Sequence, residues 1–259
     1  MRWELVGKRD LLLWLAGAVL LTLALQHLGF FDAERLGRGA ANLVTFARDA
    51  VPPDLGVLPL AGRALWETVQ MAFAGTLLGF LVALPLGLMG ARVLAPLPLV
   101  LLARLAVAVA RTVPALLWAV LFVILVGLGP LAGTLGLALY TVGYLGKLYA
   151  ELFEGVDPEV VEAMRGVGAS RLHLARFVLW PESANAIISQ LLFMLEYNVR
   201  ASSILGFAGA GGIGFYVNIY LQTLEYTRLA TLLLLVLALT LAMDVFSAWV
   251  RGRYLLAGR

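Results

Sequence analysis

Residues 155–183 read GVDPEVVEAMRGVGASRLHLARFVLWPES, a long polar stretch between two apolar segments. Asp157 is a good N-cap, and Pro158 suits the first helical position because the N–H that it lacks has no partner there. Glu159 complements the positive end of the helix dipole. The stretch therefore predicts a short helix that begins at Pro158.

The second half of this stretch predicts another short helix. Gly166 and Gly168 end the first helix, Ser170 caps the next one, and Pro181 marks the entry to the following apolar segment. A helix, a glycine turn and a second helix are more than a connection requires. We therefore expect this segment to dock a partner.

The rest of the chain has the composition of a membrane protein. Of its 259 residues, 62% are hydrophobic and 14% are charged, whereas soluble domains carry about 25% charged residues. Several runs approach the roughly 20 apolar residues that span a bilayer as a helix. We predict an all-α polytopic protein with about six transmembrane helices, near residues 11–30, 64–90, 108–128, 131–150, 183–205 and 227–250.

The first 63 residues form a predicted N-terminal region of two helices. The first apolar segment is interpreted as an uncleaved anchor, with a signal peptide as the alternative, because its run is long and no A-x-A site follows closely. Residues 33–51 space their apolar side chains at alternating steps of four and three, which predicts an amphipathic helix on the outer membrane face. The main domain is predicted over residues 64–259.

Charge predicts the orientation of the chain and excludes several functions. If both termini are cytoplasmic, most Lys and Arg residues outside the spans lie inside, as the positive-inside rule requires. The basic residues are scattered, which argues against a nucleic-acid partner. Cysteine is absent, His173 has no second ligand at metal spacing, and Ser202 and Ser203 lack a suitable His/Asp arrangement for catalysis.

Residues 162–181, EAMRGVGASRLHLARFVLWP, resemble the EAA loop of permease subunits of ATP-binding-cassette (ABC) importers. Glu162, Ala163, Gly168 and Pro181 match that motif at its spacing. Met164 and Trp180 depart from it, whereas Val178 is a conservative replacement for Ile. Residues 67–92, 110–139, 146–170 and 198–214 are similar, in order, to successive segments of the phosphonate-type permease branch.

The resemblance implies a type I ABC importer permease fold with cytoplasmic EAA coupling helices in residues 155–183. Asp157, Glu162, Ala163, Gly168, Arg171 and Pro181 would form the ATPase-coupling loop. The implied partners are a second permease copy, identical or a close paralogue, two cytoplasmic ATP-binding subunits, an extracytoplasmic substrate-binding protein and the lipid bilayer of a bacterial inner membrane. No Walker A motif occurs in the chain, so ATP and Mg would bind the partner ATPase.

Charged residues inside the spans are candidates for a solute path, because their burial in a bilayer is costly. Glu196 and Arg200 are spaced for a helical ion pair. Either they form a structural pair, or Arg200, with Asn198 and Ser202 nearby, presents donors to a passing oxyanion. Arg111 and Asp244 form a predicted inner gate pair, with a snorkelling Arg111 as the alternative.

Residues 209–214, GAGGIG, match the G-x-G-x-x-G pattern of dinucleotide sites. That pattern requires a preceding strand, whereas an apolar helix precedes it here. We interpret Gly209, Gly211, Gly212 and Gly214 as a turn at an outer gate, with anion contact as the minor alternative. Gly75 and Gly79 form a small-xxx-small pair that predicts close helix packing.

The function predicted from these features is transport of a phosphonate or a related phosphorus oxyanion such as phosphite or phosphate. An importer for another solute, of the methionine or sulfonate type, is the alternative within the same class. An integral-membrane enzyme would show convergent titratable residues, and only scattered ones are found. A secondary transporter would not need the docking loop.

Overall fold

The computed structural model describes residues 7–255. Over these residues the chain divides into two compact units, with the boundary between Pro52 and Pro53. The first unit contains α1 (Lys8–His27) and α2 (Ala33–Asp49), and Asp32 caps α2 by accepting a hydrogen bond from the Arg35 N–H. The predicted helix after the first span is thus confirmed. The predicted division after residue 63 falls inside the next helix.

The second unit contains nine α-helices within the described residues. Residues Leu55–Val57 form a single 3₁₀ turn before them, and a π-helical segment, Ala175–Leu179, joins α8 to α9. The helices are α3 (Leu58–Gly90), α4 (Leu97–Thr112), α5 (Ala115–Val126), α6 (Pro130–Glu154), α7 (Pro158–Gly166), α8 (Arg171–Leu174), α9 (Trp180–Leu205), α10 (Ile213–Gln222) and α11 (Tyr226–Val250).

Helix α6 lies at the centre of this unit and packs against α3, α4, α5 and α9. Glycines allow its close approach to α3. A Cβ atom on Gly75 would lie 2.8 Å from the Leu137 Cβ atom, and one on Gly79 would lie 2.8 Å from the Ala138 carbonyl oxygen. The predicted small-xxx-small packing is confirmed, because both positions admit only glycine without a shift of α6.

The predicted third span, residues 108–128, is wrong as a single helix. Helices α4 and α5 meet at a bend of 91°, and Pro114 lies in the break between them. Proline has no N–H to donate, and its ring disfavours the helical conformation in the preceding residue. Across the bend, the indole Nε1 of Trp118 donates to the Ala110 carbonyl oxygen at 2.9 Å.

Within residues 7–255, four helices are long and apolar enough to cross a membrane, and the bent pair would add a fifth. The predicted span near residues 131–150 is the one that this count leaves out. It corresponds to α6, which has 25 residues. Helix α6 is surrounded by other helices, so many of its positions carry glycine or polar residues rather than lipid-facing aliphatic ones.

Candidate functional site

The polar loop folds as its sequence predicts. Asp157 Oδ1 accepts a hydrogen bond from the Glu159 N–H at 2.9 Å, and α7 begins at Pro158. The Ser170 hydroxyl accepts from the His173 N–H at 3.3 Å at the start of α8. Gly168, between the two helices, has φ +81°, a left-handed conformation that favours glycine.

The residues assigned to the coupling loop lie at the surface of the chain. Glu162, Ala163, Gly168, Arg171 and Pro181 are all exposed. Large apolar side chains lie among them, and Val167 is 79% and Leu172 76% exposed. A surface that mixes charge with exposed aliphatic groups is suited to docking a protein partner.

The opposite face of the loop packs against α6 and the connection between α3 and α4. Val161, Leu174 and Leu179 are buried in one cluster with Phe153 of α6. A polar contact adds to this anchor, because Arg165 Nη2 donates to the Val93 carbonyl oxygen at 2.8 Å. The loop is therefore joined to α6 and to the segment between α3 and α4.

A partly buried cluster of charged side chains lies next to these contacts. The sequence analysis did not predict it. Glu154 Oε1 accepts hydrogen bonds from Arg104 Nη2 at 2.6 Å and from the Arg92 N–H at 2.8 Å. Arg104 Nε also donates to the Gly90 carbonyl oxygen at 2.9 Å. One carboxylate thus ties together the ends of α3 and α6 and the side of α4. Opposite charges at the predicted inner ends of neighbouring spans were the available signal.

The glycine-rich turn between α9 and α10 is capped from within the protein. Gly209, Gly211 and Gly212 all have positive φ angles. Glu67 Oε1 accepts from the Gly212 N–H at 2.7 Å, and Thr68 Oγ1 accepts from the Ile213 N–H at 2.8 Å. These N–H groups are already satisfied, so the alternative of anion contact at them is not supported.

The other end of the turn packs equally closely. The Gly129 N–H donates to the Gly209 carbonyl oxygen at 2.9 Å. A Cβ atom on Gly214 would lie 3.2 Å from the Gly206 Cα atom. The turn therefore joins α3, the α5–α6 connection and the end of α9 at one end of the unit. The sequence predicts an outer gate at this turn.

The charges of α9 and α11 form a cluster of three. Arg200 Nη2 lies 2.5 Å from Glu196 Oε1, which is the predicted i, i+4 pair, and Arg200 Nη1 lies 4.0 Å from Asp244 Oδ1. The predicted pair of Arg111 and Asp244 is therefore wrong: Asp244 faces Arg200 instead. The reason is helix register, because α4 places the Arg111 backbone against Gly143 of α6.

Two residues assigned to the solute path are buried in the protein. Asn198 and Ser202 are 0% exposed. The Asn198 amide donates to the hydroxyls of Thr76 at 2.8 Å and Thr141 at 2.9 Å, so it links α9 to α3 and α6. Ser202 donates to the Val199 carbonyl oxygen at 2.9 Å. Their assignment to the path is corrected to a role in helix packing.

The second unit is a bundle of long apolar helices, with the short helices α7 and α8 and their glycine turn packed at one end. This architecture is typical of a multi-pass membrane transport component. The chain belongs to the family of binding-protein-dependent transport system inner membrane components, whose model matches residues 75–255. The resemblance of residues 162–181 to the EAA loop is consistent with this membership. The match includes every helix from α4 to α11.

Two relatives carry names from phosphorus oxyanion transport. The chain is 37% identical to the phosphite transport system permease protein PtxC of Stutzerimonas stutzeri, over 92% of this chain and 86% of that protein. It is 35% identical to the phosphate-import permease protein PhnE of Mycolicibacterium smegmatis, over 78% of this chain and 38% of that protein. Both are transport permeases.

A solved structure confirms the fold. A chain of the MetNI methionine ABC transporter in an inward-facing conformation matches with a TM-score of 0.66 at 24% identity, over 76% of this chain and 97% of that chain. The predicted type I ABC importer permease fold is therefore confirmed.

Proposed function

We propose that this protein is the permease subunit of an ABC importer that carries a small phosphorus oxyanion, namely phosphite, phosphate or a phosphonate. The observation that supports this solute class most strongly is the 37% identity to a phosphite permease over 92% of the chain. The chain carries out no chemical step itself. It provides half of a path that opens alternately to the two sides of the membrane.

Three kinds of partner complete the importer in this proposal. A second permease copy closes the path, an extracytoplasmic protein delivers the oxyanion, and two cytoplasmic subunits bind ATP and Mg. The complex lies in a bacterial inner membrane with both termini of the chain in the cytoplasm. The exposed face of α7, which includes Glu162 and Ala163, inserts into the ATPase.

In this proposal, ATP binding acts on the membrane helices through the contacts of the loop. A displacement of α7 acts on α6 through the cluster that contains Val161 and Phe153. It acts on the α3–α4 connection through Arg165 and the Val93 carbonyl oxygen. Packed interiors transmit such displacements because they have little free volume.

Reconstitution tests the proposed function directly. The complex with its ATPase and binding protein is placed in proteoliposomes, and ATP hydrolysis is measured with phosphite, phosphate, methylphosphonate, methionine or a sulfonate. We expect the phosphorus oxyanions alone to stimulate hydrolysis and to accumulate. Stimulation by methionine or the sulfonate alone would assign the importer to another solute.

The docking role has a separate test. Glu162→Lys reverses a charge on the exposed face of α7, and Glu34→Lys makes the same change on the exposed helix α2. We expect only Glu162→Lys to reduce co-purification of the ATPase, because it reverses a charge within the proposed docking face whereas Glu34→Lys lies outside it. Equal co-purification with both variants would contradict the docking role of α7.

A further inference from the structure

The intramembrane arginines differ in whether a carboxylate neutralises them. Arg200 lies beside Glu196 and Asp244. Arg104, two turns before Arg111 in α4, pairs with Glu154 at the end of α6 at 2.6 Å. Within α6, Lys147 pairs with Glu151 at 3.1 Å. Arg111, in the last turn of α4, has no carboxylate within ion-pair distance among the residues that the structure describes.

The cluster around Arg200 is unsuited to an oxyanion. It contains one cation and two carboxylates, so its formal charge is negative when all three are ionised. An incoming anion would have to displace Glu196 and would still face Asp244. Arg200 is therefore best described as the counter-ion of two acidic side chains.

Arg111 instead lies beside a polar and aromatic surface on α6, with which it shares a backbone contact and the lining of a cavity. Tyr140, Tyr144, Lys147 and Glu151 follow one another at steps of four, three and four, and this spacing places them on one face of the helix. Lys147 and Glu151 are exposed, and the two tyrosines are partly exposed. The Arg111 backbone contacts Gly143, which lies about one helical turn from Tyr140.

Helix α9 forms the other side of this surface. The rings of Tyr140 and Tyr197 stack with their centroids 5.4 Å apart, and those of Tyr144 and Phe193 stack at 6.0 Å. Helices α4, α6 and α9 thus place Arg111, which has no carboxylate partner among the described residues, about one helical turn from two stacked, partly exposed tyrosines.

The backbone holds Arg111 in place. A Cβ atom on Gly143 would lie 2.7 Å from the Arg111 Cα atom, so α4 and α6 touch there without an intervening side chain. The bend at Pro114 ends α4 just beyond Arg111, and the Trp118 indole bonds to the Ala110 carbonyl oxygen. A cavity of 190 Å³ follows, lined by Arg111, Lys147 and Arg104.

We propose that Arg111, together with the hydroxyls of Tyr140 and Tyr197, forms a transient binding site for the phosphorus oxyanion on the solute path. This inference rests on the proposed function and names the residues of this chain that contact the solute. The oxyanion supplies the charge that Arg111 lacks. The second permease copy brings the same three groups to the opposite side of the path.

The chemistry of the three side chains suits such an ion. A guanidinium offers parallel N–H donors that match two oxygens of a phosphoryl group. Each phenol adds one O–H donor. Beyond this site the cations of the cavity are already paired with Glu151 and Glu154, so attraction weakens toward the cytoplasm and the ion can leave.

Uptake of radiolabelled phosphite and phosphate into proteoliposomes tests the site. Arg111→Gln removes the charge, and Arg111→Lys keeps it without the paired donors. We expect Arg111→Gln to lower uptake by about 10- to 100-fold, as the loss of a charged hydrogen bond predicts, and Arg111→Lys to retain more. The double variant Tyr140→Phe and Tyr197→Phe should also lower uptake, with the rings kept in place.

Matched controls separate this site from a failure of the complex. Arg38→Gln removes an exposed arginine of α2 that pairs with Glu34 and should leave uptake unchanged. Arg111→Gln should keep ATPase co-purification and hydrolysis stimulated by the binding protein. Uptake by Arg111→Gln and by the double tyrosine variant within about twofold of the unsubstituted protein would overturn the inference. An unsubstituted complex that carries neither ion would refute the proposed function instead.

Discussion

The carboxylate of Glu67 accepts a hydrogen bond from the Gly212 N–H at 2.7 Å across 145 residues of sequence. The carboxylate caps the N-terminus of α10, although it belongs to α3 and not to the residue that precedes α10. The GAGGIG segment therefore owes its conformation to a carboxylate of the same chain. Its glycines are needed for their positive φ angles and for close packing, and a nucleotide phosphate would have to displace Glu67.

Loss of this carboxylate should destabilise the protein. Glu67→Ala leaves the Gly212 N–H without its partner in a partly buried position, at an expected cost of about 1–3 kcal/mol. Glu67→Gln keeps an acceptor oxygen and should cost less. Thermal unfolding in detergent measures both, with Glu34→Ala on exposed helix α2 as the control. Equal melting temperatures for Glu67→Ala and Glu34→Ala would show that the cap is unimportant.

The contact of α3 with α6 predicts a contrast between two glycines of one helix. Gly79→Ala would force its Cβ atom against the Thr141 side chain, whereas a Cβ atom at Gly62 would meet nothing within 4 Å. We expect Gly79→Ala to lose about 1–3 kcal/mol through overpacking. Gly62→Ala should gain up to about 1 kcal/mol from helix propensity. Unfolding midpoints of the two variants should therefore move in opposite directions.

Local chemistry was predictable from the sequence, and long-range register was not. The helix caps at Asp157 and Ser170 could be predicted because a cap depends only on residues two or three positions away. The burial of Asn198 depends on Thr76 and Thr141, which lie 122 and 57 residues away. An amide in an apolar segment gives the same sequence signal whether it faces a path or bridges two helices.

The same distinction explains the error at Asp244. The sequence indicates two opposite charges within spans, Arg111 and Asp244, but it does not indicate which helices touch. The partner of an intramembrane charge is decided by which helices touch and at what height. Helix α11 packs against α9, so Asp244 meets Arg200. The bend after Thr112 and the approach of Gly143 fix Arg111 elsewhere.

Acid should weaken a contact between the start of the second unit and α11. Asp54 accepts hydrogen bonds from the Gly56 N–H at 2.8 Å and from Arg228 Nε at 3.2 Å. These bonds, the backbone one first, hold the pKa of Asp54 below its ordinary value of 3.8. A lowered pKa means that the contribution is complete above the ordinary pKa and is lost as the pH falls through the folded-state value.

Melting temperatures between pH 6 and pH 3 test this contact. The unsubstituted protein should lose stability below about pH 4, and Asp54→Asn should lose less over the same interval. Salt should reduce the difference, because the pair is exposed to solvent. Asp49→Asn, in exposed helix α2, serves as the control. Identical pH profiles for Asp54→Asn and the unsubstituted protein would contradict the assignment.

The glycine turn of the coupling loop offers a test of function through backbone conformation alone. Gly168 has φ +81° and Gly166 does not have a positive φ, yet a Cβ atom at either would meet nothing within 4 Å. Gly168→Ala should therefore cost about 1–2 kcal/mol of backbone strain and shift α7 relative to α8, whereas Gly166→Ala should be tolerated. Gly168→Asn should be milder than Gly168→Ala, since asparagine adopts the left-handed conformation more readily.

In the reconstituted complex we expect the coupling of ATP hydrolysis to uptake to fall in the order Gly166→Ala, Gly168→Asn, Gly168→Ala. Coupling that is equal in all three variants would mean that the angle between α7 and α8 does not govern docking. The comparison is informative because all three side chains enter open space and differ in the backbone conformation that they accept.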